Sequence, residues 1–299
     1  MKEEWSEFGF HDITCDVPAD WDPTHIEGMY EKGYVRLDDV RAPRLEIRWE
    51  RPFRRVSLSG TIDKHIKLVA KEARRAGREL RVQRDVRLAP SSFDEWEAFS
   101  YKNHVEALGL ATHCRGCRRV LILRVFAGEG GGALRQTAAR IFQSLRDHPK
   151  QGKSLWNLYG FRFEVPEGFR LVASELKTGR LFFDFAHRGT QLTIGRAALA
   201  GMVLKERSLS EWLEKAQPKF FRSFVVEKRR EEYRGHSSLV FTGRYKLRLR
   251  LTRFMVRPWF LHCRVWHCER SDKIFVFRVI GRRQEQNELE KCADLVYCH

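Results

Sequence analysis

The sequence repeats itself, and no other feature restricts the fold as strongly. Ile13-Thr14-Cys15-Asp16-Val17-Pro18-Ala19-Asp20-Trp21 aligns with Phe161-Arg162-Phe163-Glu164-Val165-Pro166-Glu167-Gly168-Phe169. Both stretches alternate apolar and polar residues, then reach Val-Pro and an aromatic. Gly33–Asp38 aligns with Gly179–Asp184, and Leu45-Glu46-Ile47 with Leu192-Thr193-Ile194. Period-2 alternation of this length predicts short strands. Ser57-Leu58-Ser59 and Ser208-Leu209-Ser210 then open helices over 60–76 and 209–224, and Ser208 with Glu211 has capping-box spacing. His113-Cys114 aligns with His267-Cys268, Arg124-Val125 with Arg278-Val279, and Ala139 with Ala293, all at an offset of 154. Phe99 aligns with Phe241 at an offset of 142, so loop lengths differ while the elements persist.

Each half therefore reads β-β-β-α-β-β-β-α. The prediction is an α+β fold of two tandem copies, with antiparallel sheets packed against helices. Pro149 and Gly152 interrupt the pattern and set the domains at 1–150 and 151–299. The order of elements, the Val-Pro-x-x-aromatic opening and the Trp266-His267-Cys268 segment before Lys273–Val279 resemble the PsbP-like α/β/α sandwich. The resemblance covers each half. It implies the fold and a binding or assembly role, without naming a partner.

Charge is distributed unevenly. Residues 1–50 carry 6 Lys/Arg against 13 Asp/Glu, residues 51–150 carry 21 against 10, and residues 151–299 carry 29 against 16. The excess from residue 51 onward gives the molecule a directed field suited to a polyanion. Phe99 to His113 spans 14 residues, whereas Phe241 to His267 spans 26. The second half has thus gained a segment near 244–255, which carries Arg244, Lys246, Arg248 and Arg250 in alternation with Tyr245, Leu247, Leu249 and Leu251. On a strand the four cations share one face at about 6.5–7 Å spacing. Arg253 lies in the same segment. A second basic stripe is Lys64, Lys67, Lys71, Arg74 and Arg75, on the helix face opposite Ile62, Ile66, Val69 and Ala73. A third cluster is Arg51, Arg54 and Arg55. With Glu227, Glu231 and Glu232 around it, Lys228-Arg229-Arg230 is expected to pair locally.

These patches lead to the expectation of a non-catalytic RNA-binding protein docked on structured RNA, above all ribosomal RNA with its ribosomal proteins, in assembly, stability or dormancy (hibernation). Two other readings are kept: an enzyme or sensor holding an anionic small ligand between the domains, and a protein-interaction adaptor. The adaptor reading predicts an exposed apolar patch. No run of 18 apolar residues suggests a spanning helix, and Met1–Trp5 opens no signal core, so a cytoplasmic protein with no membrane partner is expected. Seven cysteines, mostly in apparent strands, fit a reducing compartment.

No catalytic motif emerges, and no cofactor is expected. Cys114-x-x-Cys117 supplies half a zinc site. His262, Cys263, His267 and Cys268 are the second half that sequence suggests, though reduced core cysteines explain them as well. Gly128–Gly132 joins a strand to the helix at 133–145. It lacks the lysine of a phosphate loop and reads as a turn.

Overall fold

Strands form where the alternating pattern buries one face, and the registers show which residues those are. The computed structural model describes residues 4–54, 56–128, 133–246, 259–282 and 294–299. It divides into two units: Met1–Lys150 with Ser154–Gly160, and Gln151–Lys153 with Phe161–His299.

The first unit contains β1 (Trp5–Phe10), β2 (Ile13–Pro18), β3 (Asp22–Gly28), β4 (Lys32–Asp38), β5 (Pro43–Glu50), α1 (Leu58–Arg75), β6 (Arg81–Arg84), β7 (Glu95–Lys102), β8 (Glu106–His113), β9 (Val120–Phe126), α2 (Leu134–Ser144) and β10 (Lys153–Leu158). Its main sheet is antiparallel, in the order β3-β4-β5-β9-β8-β7-β6. Leu45 opposes Val125 and Ile47 opposes Leu123, and all four are fully buried. On the other face of the same strands Arg124 is paired with Glu46 and donates to the Tyr101 hydroxyl at 3.0 Å. β1 and β2 form a hairpin, and β10 pairs with β1 at Gly9 and Asn157.

The second unit contains β11 (Phe161–Pro166), β12 (Arg170–Lys177), β13 (Arg180–His187), β14 (Thr190–Ala198), α3 (Ala200–Glu206), α4 (Leu209–Ala216), α5 (Pro218–Ser223), β15 (Phe224–Tyr233), β16 (His236–Tyr245), β17 (Phe260–Cys268), β18 (Lys273–Gly281) and β19 (Val296–Tyr297). Its main sheet runs β12-β13-β14-β18-β17-β16-β15. Leu192 opposes Val279 and Ile194 opposes Phe277. β19 pairs with β11.

The mixed α+β class is as expected, but the eight-element string is too short. Each unit carries additional strands. β3, β6 and β12 are among them, mostly exposed along their length, so no buried face marks them in the sequence. The helix expected over 209–224 is divided at Pro218, which lacks an N–H to continue α4. The capping box at Ser208 and Glu211 is present, with the Ser208 N–H donating to Glu211 at 2.7 Å. The closing helix around Ala293 and most of the 244–255 segment lie outside the described residues.

α1 starts where the Ser57 hydroxyl accepts the Gly60 N–H at 3.2 Å. It buries Ile62, His65, Val69 and Ala73 against Phe99, Tyr101, Ala107 and Ala111. Ile66 is half-buried and packs against the same cluster, as expected, and His65 is buried beside it. Burial, with Arg124 and Arg48 nearby, pushes its pKa down to about 3. Burial also lowers His262, in β17, to about 4. Both rings are held neutral, and both titrate higher once unfolded, near pH 6.5. Their contribution to stability is therefore complete above that pH and is lost as pH falls through 6.5 toward 4. Each adds up to about 1.4 kcal/mol per pH unit to the slope of unfolding free energy. Urea unfolding between pH 7 and 4 should show that slope, and His65→Leu should reduce it. An unchanged slope in the variant would remove His65 from the account.

Candidate functional site

On the α1 side of the first unit's sheet lies a half-open groove of about 780 Å³. Its floor includes Tyr34, Arg48, Val120 and Ile122 from β4, β5 and β9. These residues share a face because Tyr34 opposes Arg48 and Arg48 opposes Ile122 across the sheet. The Arg48 guanidinium carbon lies 4.6 Å from the Tyr34 ring centre, a cation–π contact on the floor of the groove. The α1 wall is Thr61, Lys64, His65 and Leu68. These positions fall on one side of the helix at i, i+3, i+4 and i+7 spacing. His65 brings an uncharged ring whose Nε2 has no hydrogen-bond partner. Leu68 is 58% exposed and Met29, at the opposite rim, 46% exposed. Phe53, next to the lining Pro52, is fully exposed. Glu27, Glu31 and Glu50 also border the groove, and Lys32 pairs with Glu50 at 3.4 Å.

Two side-chain clusters have metal-ligand composition. In the first unit, Cys114, Cys117, Asp147 and His148 bring one donor atom each within 4.8 Å of one another. Cys114 Sγ lies 2.9 Å from His148 Nε2, and the Cys117 thiol donates to Asp147 Oδ2 at 3.2 Å. In the second unit, His236, Cys268, Cys298 and His299 meet under the same limit. Cys298 Sγ is 3.5 Å from His236 Nε2 and 3.4 Å from His299 Nδ1, which is itself 3.4 Å from Cys268 Sγ. Sequence reading found Cys114, Cys117 and Cys268 but missed Asp147, His148, His236, Cys298 and His299. A signal existed: Asp147-His148 and Cys298-His299 stand 151 residues apart, within the range of the repeat offset. His262 and Cys263 are not ligands of either cluster. Both are buried in the core, and burial pushes the Cys263 thiol up to about 12. His267 lies 3.9 Å from Asp272.

The expected basic surface is distributed differently. Lys64, Lys67, Lys71, Arg74 and Arg75 are exposed along α1, as the periodicity required. Arg51 and Arg54 are exposed in the loop before it, while Arg55 lies outside the described residues. Of the 244–253 row, Arg244 lies in the last two residues of β16 with its guanidinium 5.8 Å from the Phe260 ring centre, and Lys246 Nζ reaches the Phe221 carbonyl at 3.4 Å. Arg248, Arg250 and Arg253 lie outside the described residues. Many other arginines are paired within the fold. Arg84 is shared by Asp63 and Glu97, Arg119 by Asp147, Arg124 by Glu46, Arg140 by Asp16, Arg180 by Glu175, and Arg229 and Arg264 by Glu231. The Gly-rich segment 129–132 is also outside the described residues.

No family model matches the chain, and no curated protein does. Among solved structures it is similar to the apo structure of the immunity protein TplEi of T6SS from Pseudomonas aeruginosa. That likeness spans 98% of this chain and 96% of the other, at 10% identity and a TM-score of 0.33. So loose a match transfers neither fold nor activity.

The expectation of an RNA-docking, ribosome-associated protein is overturned. Its premise was a continuous row of free cations along one strand, but Arg244 lies over the Phe260 ring, Lys246 reaches the Phe221 carbonyl, and the rest of the row lies outside the described residues. The groove beside the α1 lysines is lined by Lys32, Arg48 and Lys64 as well as Glu27, Glu31 and Glu50, so it offers no continuous track of positive charge for a phosphate backbone. No helix among the described residues is long and apolar enough to cross a membrane.

Proposed function

We propose that this chain acts without catalysis as a protein-interaction adaptor, and that the α1 groove of the first unit receives an apolar side chain from an acidic polypeptide. The carrying observation is exposed Leu68 lining the groove together with Lys64, on the same helix that exposes Lys67 and Lys71. A desolvated anchor pocket beside a solvated charged rim is the usual division of labour at a protein interface. The +17 formal charge favours an acidic partner and its rate of encounter. The two main sheets, with the same order of connections, are proposed to be copies of one ancestral unit, and the resemblance to PsbP-like binding domains agrees with an adaptor role.

The test uses a fluorescent Asp/Glu-rich peptide with one central Leu, and a control with Gly in its place. The Leu peptide should bind at least about tenfold more tightly, the ~1.4 kcal/mol expected of a modest apolar anchor. Leu68→Glu, at an exposed position, should abolish that difference. Changing Lys64, Lys67 and Lys71 together to Ser should flatten the dependence on salt. Equal binding of the two peptides, or none, would refute the assignment.

A further inference from the structure

The same place in each unit carries a cluster of thiol and imidazole groups, and the two clusters are assembled from different parts of the chain. Cys114 directly follows β8, and Cys268 ends β17, the strand in the same sheet position. In the first unit the next donor comes from the turn itself. Arg118 at φ 62° bends the chain so that the Arg118 N–H donates to the Cys114 carbonyl at 2.8 Å, which returns Cys117 toward Cys114. The corresponding turn in the second unit is the short 3-10 segment Glu269–Ser271, which has no cysteine. His236 of the adjacent strand β16 supplies the donor instead. The remaining two donors are consecutive residues in both cases: Asp147-His148 after α2, and Cys298-His299 after β19.

Each segment is pinned by contacts unrelated to a ligand. The stretch before Asp147 is fixed by the Thr14–Arg146 bridge, whose two N–H···O bonds are 3.0 and 2.8 Å. Arg119 holds the buried Asp147 carboxylate by one oxygen and leaves Oδ2 facing Cys117. The stretch before Cys298 is fixed by the β11–β19 pairing and by Arg234 donating to the Val296 carbonyl at 3.0 Å.

From this geometry we propose two zinc-type metal sites, one per unit: Cys114, Cys117, Asp147 and His148 in the first, and His236, Cys268, Cys298 and His299 in the second. Thiolate and imidazole sets of this kind suit Zn²⁺ among the abundant divalent ions. Tetrahedral Zn–S and Zn–N bonds require donors about 3.5–3.8 Å apart. The 4.8 Å limit in each cluster lies within a small contraction of that figure. Four protein donors close the coordination sphere, so the sites are structural rather than hydrolytic. The Cys₂His₂ set of the second unit contributes two thiolates and no carboxylate. In the first unit Asp147 remains shared with Arg119, and that site binds more weakly.

Cobalt titration of the reduced full-length chain tests this. Two Co²⁺ per chain are expected, with thiolate-to-metal charge-transfer absorption and the intense visible bands of tetrahedral cobalt, and Zn²⁺ should displace them. His148→Ala and His299→Ala alter exposed positions and leave the cores intact. Each should weaken one site by about 100-fold or more, exceeding the usual loss from a supporting residue, and together they should abolish both. Fewer than two ions per chain, weak octahedral spectra, or spectra unchanged by both variants would overturn the proposal. So would a thiol count showing Cys114–Cys117 or Cys268–Cys298 disulfides in the protein as isolated.

Discussion

Replacing Arg119 by methionine should cost the protein about 3–5 kcal/mol of folding free energy, the usual penalty for breaking a buried ion pair from one side. Arg119 is completely buried and paired with the equally buried Asp147. Its other nitrogen donates to the carbonyls of His11 at 2.8 Å and Tyr30 at 3.3 Å, and its plane lies 4.4 Å from the Tyr30 ring centre. One guanidinium therefore ties β9, the β1–β2 turn, the β3–β4 turn and the segment after α2. Methionine keeps an unbranched apolar stem but leaves a buried carboxylate and two carbonyls without their donor. Arg119→Lys should recover only part of the loss, since an ammonium lacks the planar fork. Urea unfolding with a chelator present throughout keeps metal out of the measurement. A loss below about 1 kcal/mol in Arg119→Met would show that solvent reaches Asp147 and that the pair is not a structural tie.

Trp266→Ala should be comparably damaging, at about 3–5 kcal/mol, through the cavity it leaves. Trp266 is the largest fully buried side chain among the described residues. It opposes Phe275 across β17 and β18, and the rings stack at 5.4 Å with 16° between planes. Tyr233 meets it edge-on at 5.0 Å. The thermal midpoint should fall by about 10 °C, since each kcal/mol is worth roughly 2–4 °C in a chain of this size. Trp266→Phe should lose markedly less. If both substitutions cost the same, packing against Phe275 and Tyr233 is not what stabilises this part of the sheet.

Pairs of central strands were legible because burial imposes a period. Leu45 and Ile47, with Leu192 and Ile194, could be aligned from sequence, and they occupy matching registers against Val125 and Leu123, and Val279 and Phe277. The edge strands β3, β6 and β12 were not legible, because an exposed strand needs no apolar alternation. On α1 the period placed Ile66 on the buried face, where it packs against the core. The lie of the helix on β7 and β8 buried His65 as well, which no periodicity marked, and holds its imidazole neutral. The charge reading failed for a related reason. Counting cations along the chain does not show what each one meets in the fold, as Arg244 over the Phe260 ring and Lys246 at the Phe221 carbonyl show.

Sequence by itself determined the alternating α+β elements, the helix starts at Ser57 and Ser208, and the lysine face of α1, because each depends on neighbours within a few residues. Only the tertiary structure decided where the donors converge. Cys114 and His148 are 34 positions apart, and His236 and Cys298 are 62 apart. Their approach depends on strand order, the Arg146 bridge and the β11–β19 pairing, which are long-range contacts that no local spacing encodes. The groove has the same origin, since its floor and wall are brought together by sheet register and helix docking rather than by proximity in the chain.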